Sequence, residues 1–146
     1  MKIKQETRDK FLSALQKVFY AIKIHSDDCG ELCGGLNEKE LFIIDYVGQN
    51  KYVKMSNVAE ILDVPLSTLT NIVDKLVERK YLSREHSGDD RRVINLMLGD
   101  NGKAAYEIVC TRKTRVAEKL LSRFSEKDQA TFIEQMNILA SKLGER

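Results

Sequence analysis

The stretch from Pro65 to Arg79, PLSTLTNIVDKLVER, limits what this chain can fold into more than any other. On a helix of 3.6 residues per turn, Leu66, Leu69, Ile72, Val73, Leu76 and Val77 share one face. Ser67, Thr68, Thr70, Asn71, Asp74, Lys75, Glu78 and Arg79 take the other. One side must be buried and the other must meet solvent or a polar partner. The polar side opens with short hydroxyl and amide groups, continues to a lysine and closes on an arginine. That order suits a helix whose first turns approach base edges while its flank touches phosphates. A solvated surface helix shows part of the same pattern, so the neighbouring segments decide between the two.

Upstream, Ser56 is positioned to cap a helix that buries Val58, Ala59, Ile61 and Leu62, and Asp63-Val64-Pro65 breaks it. Two short helices joined by a tight turn, the second polar at its start, make a helix-turn-helix. Downstream the period changes from 3.6 to 2. Residues 81–86 form a strand, 87–90 a charged tip and 91–98 a returning strand, a β-hairpin placed as a wing.

The outer segments are helical. Leu12, Leu15, Val18, Phe19 and Ile22 recur at helical spacing over residues 6–25. The glycines and aspartates of SDDCGELCGG predict a loop over 26–35. A second helix is expected from Asn37 to Val47: Asn37 caps it, Glu40 completes a capping box, and Leu36 with Leu41 forms a hydrophobic staple. Gly48 and Asn50 close that helix, and Tyr52-Val53-Lys54 is a short extended piece. Residues 99–102 break the chain after the hairpin, and a fifth helix carries Ala105, Ile108, Val109, Val116, Leu120 and Leu121. Ser125 with Asp128 caps a sixth, in which Phe132, Ile133, Met136, Leu139 and Leu143 recur helically.

Composition sets the class and excludes others. The 146 residues suit about one domain of ~100 to 200 residues. With 42% apolar and 32% charged residues the chain should fold rather than remain disordered. A net charge of +2 does not by itself point to nucleic acid, so the placement of charge must carry that argument. No apolar run reaches the ~20 residues that span a bilayer, and residues 1–10 lack the apolar core of a secretion signal. A cytoplasmic protein without membrane contact is expected. Three cysteines, an odd number in a chain of this size, predict thiols rather than a disulfide framework. No phosphate-cradling glycine loop and no His-Glu-x-x-His is present, and His25 and His86 form no evident triad, so neither an enzyme nor a cofactor is expected.

The ordered set of helix, helix, helix-turn-helix, wing and two long helices resembles the MarR family of winged-helix regulators. LSTLTNIVDKLVERKYLSR is similar to that family's recognition helix running into the first wing strand. Asp90-Arg91-Arg92, then Leu98 and Gly102-Lys103, resembles its wing signature. The likeness covers nearly the whole chain. Three positions depart from it: Asn71 stands where many relatives carry arginine, Lys80 where a glycine often ends the helix, and Gly99 where a threonine cap is common.

The resemblance implies a mainly α winged helix-turn-helix in a single MarR-like domain, 1–146. Within it, 36–98 is the DNA-binding part, and 1–35 with 99–146 form the helical dimerisation part. It also implies a homodimer presenting two recognition helices to a pseudo-palindromic operator, and a repressor released by a small-molecule effector. Leu12, Leu15, Phe19, Phe132, Met136 and Leu139 are the expected dimerisation residues. Ser67, Thr68, Thr70, Asn71 and Lys75 are the expected contacts from the recognition helix, and Asp90, Arg91 and Arg92 those from the wing. An arginine inserted in the minor groove is rewarded by its negative potential, and the family pattern gives Asp90 the part of pairing with an arginine to fix its direction.

Two other readings stay open on sequence. His25, Cys29 and Cys33, at i, i+4 and i+8, would line one face of an unbroken helix as zinc ligands, and the two cysteines could instead form a redox pair. Some MarR-like proteins sense oxidants or metals through cysteine near the first helix. Gly30, Gly34 and Gly35 oppose such a helix, which leaves two plain loop thiols and no metal as the expectation. The remaining alternative is a winged-helix module that binds protein rather than DNA.

Overall fold

The structure is a computed structural model that describes residues 2–26 and 28–144, with the side chains of residues 24–26 and 28 outside the description. It divides into two compact units, residues 1–112 and 113–146. The first unit holds α1 (Gln5–Ser26), α2 (Asp28–Leu32), α3 (Glu38–Gln49), β1 (Val53–Lys54), α4 (Met55–Leu62), α5 (Leu66–Glu78), β2 (Leu82–His86), β3 (Ile94–Leu98) and the start of α6 (Asp100–Leu121). The second holds the end of α6 and α7 (Glu126–Gly144). Among the described residues no helix is long and apolar enough to cross a membrane.

The mainly α fold with a small wing is as the sequence implied. The capping box opens α3 as expected: the Glu40 amide donates to Asn37 Oδ1 at 3.0 Å, and the Asn37 amide donates to Glu40 Oε2 at 2.9 Å. Its C-cap is Asn50, and Gly48 lies inside the last turn, where the Tyr106 ring leaves no room for a Cβ.

The three strands pair antiparallel in the order β1-β3-β2, with Val53 opposite Leu96 and Leu82 opposite Leu98. The extended piece at Val53 and Lys54 is thus the sheet's third strand. Ile43, Ile44, Val58, Leu69, Val73, Leu76 and Leu96 are fully buried in one cluster, so α3, α4, α5 and the sheet share a core. Burying seven large aliphatic side chains is the dominant favourable contribution here, about 1.5 to 3 kcal/mol each before entropy.

Several expectations need correction. Residues 26–35 are not all loop: Asp28–Leu32 forms a helical turn, because burial of Cys29 and Cys33 against the first unit outweighs the low helix propensity of Gly30. Ser56 does not cap α4; the N-cap is Lys54, without a side-chain bond, since the helix starts directly from β1. The return strand begins at Ile94, not at Arg91, so the hairpin tip is longer than the charge pattern suggested. Residues 99–102 are no breaker, because α6 starts at Asp100. Gly102 sits in its first turn, where a Cβ would strike the Tyr81 carbonyl, so glycine here permits close approach of helix and strand.

The end of α5 explains one departure from the family pattern. The Lys80 amide bonds Val77 O at 3.0 Å and the Tyr81 amide bonds Leu76 O at 2.8 Å, the bond pair of a Schellman motif. That motif places Lys80 in the left-handed region, at φ 60°, the conformation a glycine would hold without strain.

Candidate nucleic-acid interface

The buried stripe of α5 fixes where its polar face points. Leu69, Val73 and Leu76 are fully buried, while Ile72 and Val77 are half-buried. Ser67, Asn71 and Lys75, spaced four apart, form one exposed stripe, and Thr68 lies exposed beside it. Thr70 is half-buried, and its hydroxyl donates to Leu66 O at 2.8 Å, so its hydrogen is already engaged. Leu66, expected on the buried face, is 53% exposed, because the first turn of α5 projects past the edge of the core. Pro65 occupies the N-cap without a side-chain bond, leaving the first amides of the helix uncapped.

The wing tip is held by its own backbone and by Asp90. The Ser87 amide bonds Val93 O at 2.9 Å and the Val93 amide bonds Asp90 O at 3.0 Å. Asp90 Oδ1 accepts the Arg92 amide at 2.8 Å, and His86 Nδ1 lies 2.9 Å from Arg91 O. The Asp90 carboxylate therefore shapes the turn through a main-chain amide, and among the described residues it pairs with no arginine guanidinium. Arg91 and Arg92 are exposed, and neither has an ion-pair partner among the described residues. Their charge is available at the tip.

Two arginines outside the expected set link the interface to its frame. Arg84 of β2 pairs with Asp74 of α5 at 2.6 Å and approaches Thr70 O at 3.5 Å, tying the wing strand to the helix. Sequence spacing cannot pair a helix residue with a strand residue ten positions on; the one available signal is the strand period of two, which sets Arg84 on the same face as buried Leu82. Arg79, read from sequence as part of the phosphate-facing flank, is exposed but engaged within the protein: Nη2 donates to Gly34 O at 2.5 Å and the guanidinium lies 5.0 Å from the Tyr81 ring centroid. The Tyr81 hydroxyl donates to Cys33 O at 2.6 Å. The end of α5 is thus bound to residues 33 and 34.

The thiol candidates fare differently from one another. The His25 side chain lies outside the described residues. Cys29 and Cys33 are buried, and Cys33 Sγ is 3.8 Å from Ala105 O. Burial first, and then the nearby Cys29, push the Cys33 thiol above its ordinary value, which disfavours the thiolate needed for metal binding or attack on an oxidant. No cluster of three or more metal-ligating side chains exists among the described residues.

On the outer helices, Leu12 and Phe19 of α1 are 53% and 63% exposed and Leu15 is half-buried. Phe132, Met136 and Leu139 of α7 are 41%, 51% and 38% exposed. Phe132 stacks on Phe124 at 5.7 Å between ring centroids, and the rest of these stripes is largely exposed among the described residues.

Comparison with known proteins places the chain. Residues 35–93 match the sequence model of the MarR family. The chain is 30% identical over 94 residues to the HTH-type transcriptional repressor MdtR of Bacillus subtilis, a match covering 64% of this chain and 61% of MdtR. It is 27% identical to the HTH-type transcriptional regulator YpoP of the same organism, across 97% of this chain and 99% of YpoP. Among solved structures, Streptococcus pneumoniae FabT in complex with DNA superposes with a TM-score of 0.80 at 25% identity, covering 93% of this chain and 96% of FabT.

Proposed function

We propose that this chain, a member of the MarR family of winged helix-turn-helix transcriptional regulators, is a homodimeric repressor that binds a pseudo-palindromic operator through α5 and the wing. The observation that carries the reading is the exposed stripe of Ser67, Thr68, Asn71 and Lys75 on a helix pinned from below by Leu69, Val73 and Leu76. Such a helix enters a major groove with its contacts pre-set. Asn71 suits a bidentate bond to adenine, worth ~1 to 3 kcal/mol of discrimination, and Lys75 suits a phosphate. Arg91 and Arg92 extend the footprint to the adjacent minor groove, with Asp90 holding the turn that carries them. FabT, similar in fold and solved in complex with DNA, supports DNA binding by this chain.

The largely exposed stripes of α1 and α7 support the homodimer, because isolated apolar faces of that extent are costly in water. A two-fold dimer sets half-sites about one helical turn apart. Release by a small molecule in the cytoplasm fits the ties from Arg79 and Tyr81 to residues 33 and 34: a ligand that displaced that turn would disturb the end of α5. Such a ligand must bind the free form more tightly than the DNA-bound form.

Selection of duplexes from a random pool, followed by anisotropy titrations at two salt concentrations, tests the reading. Specific binding that weakens steeply with salt is expected. Lys75→Ala should lower the salt slope by about 1 per half-site, about 2 for the dimer, and Asn71→Ala should relax preference at one base position per half-site. Failure to enrich any sequence would overturn the proposal.

A further inference from the structure

We propose that Leu66 reads a thymine, packing on its 5-methyl group in the major groove, and is therefore a specificity residue of α5. The inference rests on the DNA-binding reading above and adds a base contact that lies outside its polar stripe.

Leu66 belongs by period to the buried face, yet 53% of it meets solvent while Leu69, one turn away on the same stripe, is fully buried. A single exposed leucine is unremarkable on a protein surface. This one opens α5, directly before Ser67 and Thr68, at the end of a recognition helix that contacts base edges. Its position is fixed, because the helix that carries it is anchored by Leu69 and Val73. Two of its neighbours offer no side-chain donor. Pro65 precedes it, and Thr70, one turn on, spends its hydroxyl hydrogen on Leu66 O. Leu66 is thus an apolar contact point beside a polar stripe.

In the major groove an apolar contact point distinguishes the bases. Thymine alone presents a methyl group there, and an apolar side chain packs on it. Cytosine, adenine and guanine would set amino groups or acceptors against a leucine that returns no hydrogen bond, and a polar group stripped of water without a partner is penalised. The contact therefore favours thymine at one step of each half-site.

Deoxyuridine differs from thymidine by that methyl alone, which makes the test direct. In the selected duplex, each thymine is replaced singly by deoxyuridine and affinity is measured for the wild-type chain and for Leu66→Ala. At one thymine per half-site the wild type should lose about fourfold in affinity, the value of one buried methyl. Leu66→Ala should bind the two duplexes equally, and Leu66→Met should restore the difference. Melting of the free variants, expected to match the wild type because Leu66 is largely exposed, separates this from a folding defect. If no thymine shows coupling to Leu66 while the duplex still binds specifically, the Leu66 proposal falls and the DNA-binding reading stands. If selection enriches no duplex, both fall together.

Discussion

Lys80 holds a conformation that costs an L-residue about 1 to 2 kcal/mol, and it does so because the Schellman bonds at the end of α5 demand it. Lys80→Gly should raise stability by about 0.5 to 1 kcal/mol, less than the full strain because glycine gains entropy in the unfolded chain. The check is a shift of the urea midpoint at fixed protein concentration with an unchanged slope; Lys80→Ala, which keeps the Cβ, should give no gain. Two groups make stability fall in alkali. Cys33 is held above its ordinary 9.0 by burial and then by Cys29. Tyr106 is held above its ordinary 10.0 by its hydrogen bond with Cys110 first, with burial, Cys110 and Asp45 adding to it. Past those ordinary values the unfolded chain releases protons that the native chain retains, so stability is full at lower pH and declines as pH rises. The melting temperature should hold from about pH 7 to 8 and drop above about pH 9, and Cys33→Ala should flatten part of that drop. A profile level through the alkaline range in the wild type would contradict this account.

At the scale of elements, the wing is joined to the recognition helix by a pair that sequence reasoning missed. Asp74 and Arg84 meet at 2.6 Å, but with side chains 52% and 30% exposed their bond is screened by water. A double-mutant cycle with Asp74→Ala and Arg84→Ala should give a coupling of about 0.3 to 1 kcal/mol that shrinks in about 1 M salt. The value of the pair is in aiming the wing more than in holding the fold. Asp90 acts similarly within the tip, where Asp90→Ala leaves the Arg92 amide without its acceptor. Amide exchange at Arg92 should then quicken by about tenfold while the protection of Leu96 stays as it was. The hairpin was legible from its period and charged tip. The start of its second strand was not, because Arg91 and Arg92 are compatible with a strand until the bonds with His86 and Asp90 claim them for the turn.

For the whole molecule, the apolar stripes of α1 and α7 carry the prediction of self-association. Phe19→Glu combined with Met136→Glu should convert the chain to a monomer in sedimentation experiments, with its helical circular dichroism largely kept. Affinity for a two-half-site duplex should then fall by about a hundredfold or more, because the second half-site would no longer be held at high effective concentration. A double variant that still sediments as a dimer would remove these stripes from the interface.

The sequence by itself determined the polar stripe and most of the elements, α2 and the start of β3 excepted. Periods of 3.6 and 2, the Asn37 and Glu40 capping box, the Ser125 cap and the break at Pro65 are local, so neighbouring residues suffice to specify them. Contacts between segments far apart in the chain were decided only in the tertiary structure. It bonded Arg79 to Gly34, set Arg84 against Asp74, buried Cys29 and Cys33, and left Leu66 in solvent. Helical period predicts which side of α5 is apolar; how far the core beneath it extends is fixed by the packing of α3, α4 and the sheet, and that edge falls just after Leu66.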